Sequence, residues 1–173
     1  MPAVFGIGFL AIKLAPYRLA RLESFFTLNQ SIEHSSYHTK QILIALGSGG
    51  LFGVGLGNSL QKFAYLPENT TDSIFAIIAE ELGFVGGIIL IGMFLIILWR
   101  GFSIALRTKD HFGRLLAGGI VTFLGVQTFI NLSAQTALLP ITGIPLPFIS
   151  YGGSALIVDL CSIGILLNIS KNA

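Results

Sequence analysis

Apolar residues fall in long blocks along this chain. Residues 82–99 form an uncharged run of 18, and residues 73–81 before it can carry the same helix outward. Residues 115–132 form a second run, interrupted only by Thr122, Gln127, Thr128 and Asn131. Residues 151–169 form a third, with Asp159 inside it. A helix rises 1.5 Å per residue, so about 20 apolar residues cross about 30 Å of hydrocarbon. The pattern therefore predicts transmembrane helices over 73–99, 115–132 and 151–169. A fourth apolar stretch, residues 3–15, contains Lys13 and reaches only about 20 Å. No basic residue precedes it and no small-x-small site follows, which argues against a signal peptide. Residues 1–15 read as the end of a transmembrane helix, and the chain reads as the C-terminal part of something longer.

The connections set the orientation. Residues 100–114 read as a short loop with Arg100, Arg107, Lys109 and Arg114 against one acid, Asp110. Residues 133–150 carry no Lys or Arg. The positive-inside rule puts 100–114 in the cytoplasm, 133–150 outside and the C-terminal Lys171 inside. The long connection 16–72 then falls outside. Its basic residues, Arg18, Arg21, Lys40 and Lys62, are spread over a loop too long to count strongly in that rule. A structureless stretch of that length is uncommon. Residues 17–28 and 41–46 read as short interfacial helices, and residues 47–57, with six glycines, as a turn region.

Composition agrees. Charged residues are 10% of the 173, against about 25% in a typical soluble domain, too few to cover a water-exposed surface. The net charge of +2 is too small for a nucleic-acid partner. The lone Cys161 rules out an intrachain disulfide framework. The fold class is an all-α membrane protein, a polytopic helical bundle with a large external loop of short helices.

Two constellations carry candidate chemistry. The first is Gln61-Lys62-Phe63-Ala64-Tyr65-Leu66-Pro67-Glu68-Asn69-Thr70-Thr71-Asp72, which ends where a membrane helix begins. Thr71 or Asp72 at an N-cap would satisfy helix amides. A carboxylate there can equally act as a general base or hold a divalent cation, and Lys62 can neutralise a phosphate. The second spans residues 139–154, with three prolines and three glycines in 16 mostly apolar residues. Such a stretch cannot form a regular helix, and irregular backbone at membrane depth must be surrounded by protein or line a cavity.

Weaker signals remain. Glu80 and Glu81 lie two turns into their helix, and Asp159 lies mid-helix with Ser162 as its obvious polar neighbour. Carboxylates in membrane segments are costly and point to function or to an internal hydrogen bond. Gly83-x-x-x-Gly87 fits close helix packing. Gly53-x-Gly55-x-x-Asn58 lacks the third glycine and the βαβ context of dinucleotide binding. His34, His38 and His111 do not form a metal spacing with acids.

Residues 49–62 (Gly-Gly-Leu-Phe-Gly-Val-Gly-Leu-Gly-Asn-Ser-Leu-Gln-Lys), Tyr65-Leu66-Pro67-Glu68, Thr71-Asp72, Ile74-Phe75-Ala76 and Glu80-Glu81-Leu82-Gly83-Phe84-Val85-Gly86 resemble the SEDS family, as does the 139–154 segment. The wording resembles the family's division and sporulation branches more than its rod-shape branch. The resemblance implies a peptidoglycan glycosyltransferase. Its members have about ten transmembrane helices and polymerise lipid II outside the bacterial cytoplasmic membrane; about four of those helices would be present here. It implies Asp72 as the catalytic residue and as a metal ligand. It implies substrate binding by Lys62, Arg18, Arg21, Glu68, Pro145, Ser150, Tyr151, Gly152, Gly153 and Ser154. Supporting roles fall to Gln61, Thr71, Glu80 and Glu81. The implied cofactor is Mg²⁺ or Mn²⁺. The implied partners are lipid II, a class B penicillin-binding transpeptidase and division-complex membrane proteins. Departures from the family wording are Thr70 and Ser73 around Asp72, Ala137 where glycine is common, and Asp159 where an apolar or small residue is usual. A lipid II flippase, in which Glu80 or Asp159 outweighs Asp72, and a non-catalytic scaffold for a transpeptidase are the alternatives.

Overall fold

The computed structural model describes residues 37–59 and 73–171. Among them the chain forms four helices and no strand: α1 (Tyr37–Ser48), α2 (Ile74–Arg107), α3 (His111–Gln135) and α4 (Gly153–Ser170). α2, α3 and α4 are each long and apolar enough to cross a membrane. The protein is a membrane protein. α1 contains the apolar stretch 41–46, and the glycine-rich turn follows it.

α2 has 34 residues, about 51 Å if straight, longer than a bilayer core requires. It is not straight. Gly83 has φ 72° and ψ −170°, and the helix breaks there. Residues 84–107 then cover about 36 Å, enough to cross the membrane alone. Residues 74–82 form a separate segment before the break. Gly83-x-x-x-Gly87 is therefore no helix–helix packing motif. Gly83 meets the backbone of Leu51 and Gly53, and a side chain at Gly87 would face the Phe75 ring at 3.7 Å.

The basic stretch 100–114 is almost wholly helical, not a loop. α2 runs to Arg107 and α3 starts at His111, leaving a turn of 108–110. Charge ends a hydropathy run but not a hydrogen-bond ladder, because Arg side chains reach the head-group layer along their apolar stems. The Thr108 hydroxyl donates to the Ile104 carbonyl (2.8 Å), closing α2. Gly113 N donates to Asp110 Oδ2 (2.7 Å), capping α3.

α3 ends in a Schellman motif. Leu138 N donates to Ser133 O (2.9 Å) and Ala137 N to Ala134 O (3.3 Å), with Ala137 at φ 57°. This left-handed backbone is where glycine carries no Cβ penalty. Ala137→Gly is expected to raise stability by about 1 kcal/mol, read as a higher thermal midpoint in detergent.

Three apolar clusters hold the elements together. Ile42 and Ala45 of α1 pack on Ala76 and Ile77 of α2. Phe75, Phe94 and Leu146 join both parts of α2 to the irregular 139–152 segment. Ala105, Ala117, Val121 and Leu166 bind α2, α3 and α4 near the 108–110 turn. Within α4 only Asp159 and Leu166 are buried, so most of that helix faces away from the other described elements.

Candidate functional site

The break at Gly83 is satisfied by the glycine-rich turn. A helix interrupted at this point releases the carbonyls of Glu80 and Glu81 and the amides of Phe84 and Val85. Val54 N donates to Glu80 O (3.0 Å) and Gly55 N to Glu81 O (3.1 Å). Phe84 N donates to Gly50 O (2.9 Å) and Val85 N to Leu51 O (3.3 Å). Two carbonyls and two amides are released, and the turn supplies a partner to each. Backbone groups left unpaired in a buried junction cost free energy comparable to a lost hydrogen bond each, so turn and break require each other. Glycine is dictated by contact distance. A Cβ on Gly53 would strike the Glu81 carbonyl, one on Gly49 the Ala79 carbonyl, and one on Gly83 the Gly53 amide.

The end of the turn is pinned by a side chain. The Ser59 hydroxyl donates to Glu80 Oε2 at 2.5 Å, with Ser59 fully buried and Glu80 2% exposed. Ser73, the N-cap residue of α2, is also fully buried. Both flanks of residues 60–72 are thus fixed to one stretch of α2 that is about 10 Å long. Asp72, Lys62, Arg18, Arg21, Glu68, Gln61 and Thr71 lie outside the described residues. Of the supporting residues, Glu80 holds Ser59 by its side chain and Val54 by its carbonyl, and Glu81 holds Gly55 by its carbonyl.

The N-terminus of α2 is supported from elsewhere than expected. The N-cap position belongs to Ser73, not to Thr71 or Asp72. Ala76 N donates to Gln135 Oε1 of α3 (2.8 Å) as well as to Ser73 O (3.1 Å). Gln135 Nε2 donates to Asn131 Oδ1 (2.6 Å), Asn131 Nδ2 to Ile144 O (2.7 Å), and Gln127 Nε2 to Pro145 O (3.0 Å). Spacing of four puts Gln127, Asn131 and Gln135 on one face of α3. This polar stripe joins the start of α2 to the irregular segment and satisfies its carbonyls. The sequence reading missed the stripe as a unit, although three amide side chains at i, i+4 and i+8 in an apolar helix signal it. Gln135→Leu removes an acceptor from Ala76 and a donor from Asn131. It is expected to cost about 1–3 kcal/mol, measurable as a lowered unfolding midpoint in detergent.

The expected binding residues of the second constellation divide. The Pro145 carbonyl is engaged by Gln127, and Ser150 Oγ accepts from Leu146 N (2.7 Å) inside the turn. Gly152 is the N-cap of α4. Tyr151, Gly153 and Ser154 are exposed. Phe148 has φ 64°, and its amide donates to Asp159 Oδ2 (3.3 Å). Asp159 is buried and ties α4 to this turn; Ser162 donates to Val158 O instead of to it. Phe148 and Ile149 border an apolar cleft of about 170 Å³ with Leu90, Met93, Phe94 and Ile97.

The chain as a whole is similar to known proteins. The family model described as cell cycle protein, for FtsW, RodA and SpoVE, matches residues 3–173. The chain belongs to the FtsW/RodA/SpoVE family. It is 48% identical over 165 residues to stage V sporulation protein E of Bacillus subtilis (strain 168), covering 95% of this chain and 45% of that protein. It is 45% identical over 168 residues to the probable peptidoglycan glycosyltransferase FtsW of Geobacter sp. (strain M18), covering 97% and 46%. Among solved structures it resembles a chain of a peptidoglycan synthase complex that coordinates polymerization and crosslinking, with TM-score 0.70 and 27% identity over 98% of this chain and 47% of that one. It also resembles the rod shape determining protein RodA of Thermus thermophilus in its D255A form, with TM-score 0.58 and 36% identity over 75% and 39%. The chain spans about half the length of the curated relatives it matches. FtsW/RodA/SpoVE membership thus covers every described element: the broken α2, its glycine-rich clasp and the irregular segment before α4.

Proposed function

We propose that this chain belongs to a peptidoglycan glycosyltransferase that polymerises lipid II at the outer face of a bacterial cytoplasmic membrane during division. One observation carries the reading. The flanks of residues 60–72 are fixed, through Ser59–Glu80 and Ser73, to the part of α2 just before its membrane span. That segment carries Lys62 and Asp72. Asp72 accepts the proton of an incoming sugar hydroxyl as that oxygen bonds to the anomeric carbon. The bond from that carbon to the pyrophosphate breaks, and the leaving group gathers charge. Lys62, Arg18 and Arg21 stabilise it. Glu68, Tyr151 and Ser154 contact the disaccharide head, and Gln61 and Thr71 support Lys62 and Asp72.

No group of three or more His, Cys, Asp or Glu able to hold a metal occurs among the described residues, and Glu80 is engaged by Ser59. Mg²⁺ needs fewer protein ligands, since it binds through one or two carboxylates plus substrate phosphates. Asp72 together with the pyrophosphate fits that habit. A cation there would supply charge neutralisation of the leaving group.

The positive-inside rule supports a cytoplasmic 108–110 turn and C-terminus, which leaves Glu80 and the glycine clasp outside, where lipid II is polymerised. The similarity to a chain of a synthase complex that couples polymerization to crosslinking supports a class B transpeptidase partner within a division complex. The test is incubation of the purified protein, alone and co-expressed with the helices that complete the relatives' length, with labelled lipid II and Mg²⁺. A glycan ladder that disappears in Asp72→Asn is the expected result. A ladder that survives removes Asp72 from the mechanism. Translocation of lipid II without any ladder would favour a flippase, and neither activity would favour a scaffold.

A further inference from the structure

The opposite end of the bundle gathers four cationic side chains. Arg107 ends α2, Lys109 lies in the turn, Arg114 is in the first turn of α3, and Lys171 follows α4; all four are exposed. α4 brings Lys171 to the others, because a side chain at Gly113 would meet Ile169 at 3.7 Å. The neutral polar groups and the acid of this turn are consumed internally. Thr108 closes on Ile104 O, and Asp110 caps Gly113 N. Among the described residues no ion pair engages the four cations. Beside them stand exposed apolar side chains: Leu106 (81%) and Phe112 (73%) flank the turn, and Leu115 and Trp99 lie deeper. Cations at the head-group level above outward-facing apolar side chains match a lipid with a phosphate head and two acyl chains.

We propose that this end is a binding site for anionic membrane phospholipid, its phosphodiester held by Arg107, Lys109, Arg114 and Lys171 and its acyl chains laid along Leu106 and Phe112. Positive residues at a membrane surface attract anionic lipid generally. What distinguishes this turn is that four exposed cations from three helix ends converge on it against one acid, Asp110, which is itself held as a helix cap. The inference does not depend on the glycosyltransferase reading.

The chain supplies its own probe. Trp99 is the single tryptophan, 70% exposed and about 12 Å before Arg107 along α2, at the depth of the upper acyl chain. The full chain is reconstituted in vesicles in which either phosphatidylglycerol or phosphatidylcholine carries brominated acyl chains, and Trp99 quenching is titrated. Brominated phosphatidylglycerol is expected to compete for the site at least about fivefold better than brominated phosphatidylcholine. Added salt should lower that ratio. The triple change Arg107→Gln, Lys109→Gln, Arg114→Gln should bring it to about one, with unchanged helical circular dichroism. Equal quenching by the two lipids in the unaltered protein overturns the proposal, and so does a preference that persists in the folded triple variant. If the triple variant does not fold, Lys109→Gln alone, at an exposed turn position, must lower the ratio measurably, and no change there has the same force.

Discussion

Gly53→Ala is expected to release the glycine-rich turn from α2 and to lower stability by at least about 3 kcal/mol. The added methyl group meets the Glu81 carbonyl and the Gly83 amide, which are backbone and cannot rotate away. Gly53 also has φ 81°, a left-handed conformation that alanine resists. The turn must move outward, and four hydrogen bonds from Val54, Gly55, Phe84 and Val85 are lost together. Gly83→Ala attacks the same junction from the helix side. Alanine favours a continuous helix, in which Phe84 N would return to Glu80 O and the clasp would be expelled. Gly47→Ala is the control: no atom outside its own stretch of helix backbone lies within 4 Å of its Cβ position and it sits in α1, so it should be neutral or slightly stabilising. Thermal unfolding in detergent measures the cost, and limited proteolysis within residues 49–57 reports release of the turn. Unchanged midpoints and protection in both Gly53→Ala and Gly83→Ala would mean that the clasp does not hold the break.

This junction also marks where the sequence stops being legible. The three spans are readable because lipid demands an unbroken apolar run of fixed length, and 82–99, 115–132 and 151–169 provide it. Their ends are not, because Arg100 and Arg114 interrupt hydropathy while their helices continue through them, and α2 runs on to Arg107. Gly83 sits inside an apolar stretch beside Gly86 and Gly87, and nothing local separates a break from a packing surface. The deciding partner, residues 50–55, lies about thirty positions earlier. An acceptor for the Ala76 amide comes from Gln135, 59 residues away, which no local reading of the helix start could supply; Thr71 and Asp72 lie outside the described residues. The stripe of Gln127, Asn131 and Gln135 was readable from spacing alone. Asp159 was readable as an anomaly, but its partner, the Phe148 amide on a left-handed backbone, was not. For Lys62 and Asp72 the sequence supplies the residues, and the structure fixes the chain at Ser59 and Ser73 on either side of them.

Ser59→Ala is expected to be more harmful than Glu80→Gln. Serine is the donor, and without it a buried carboxylate oxygen loses its hydrogen bond, at a cost of about 2–3 kcal/mol. Glu80→Gln keeps an oxygen that accepts from Ser59 and needs no buried carboxylate, so its cost should be about 1 kcal/mol or less. The pair Ser59→Ala with Glu80→Gln should recover part of the loss of Ser59→Ala, because an amide without that bond is cheaper to bury than a carboxylate. Glu80→Ala removes the acceptor altogether and should resemble Ser59→Ala. The unaltered protein, Ser59→Ala, Glu80→Ala and the combination of these two changes form a double-mutant cycle whose coupling reports this one contact. On the proposed glycosyltransferase reading, glycan synthesis adds a readout that a general loss of stability does not mimic. If the contact anchors the segment bearing Lys62 and Asp72, Ser59→Ala should lower the polymerisation rate below its own melting range, and Ser59→Thr, which retains the hydroxyl, should restore it. An additive cycle with zero coupling would show that the hydrogen bond contributes nothing to the placement of that segment.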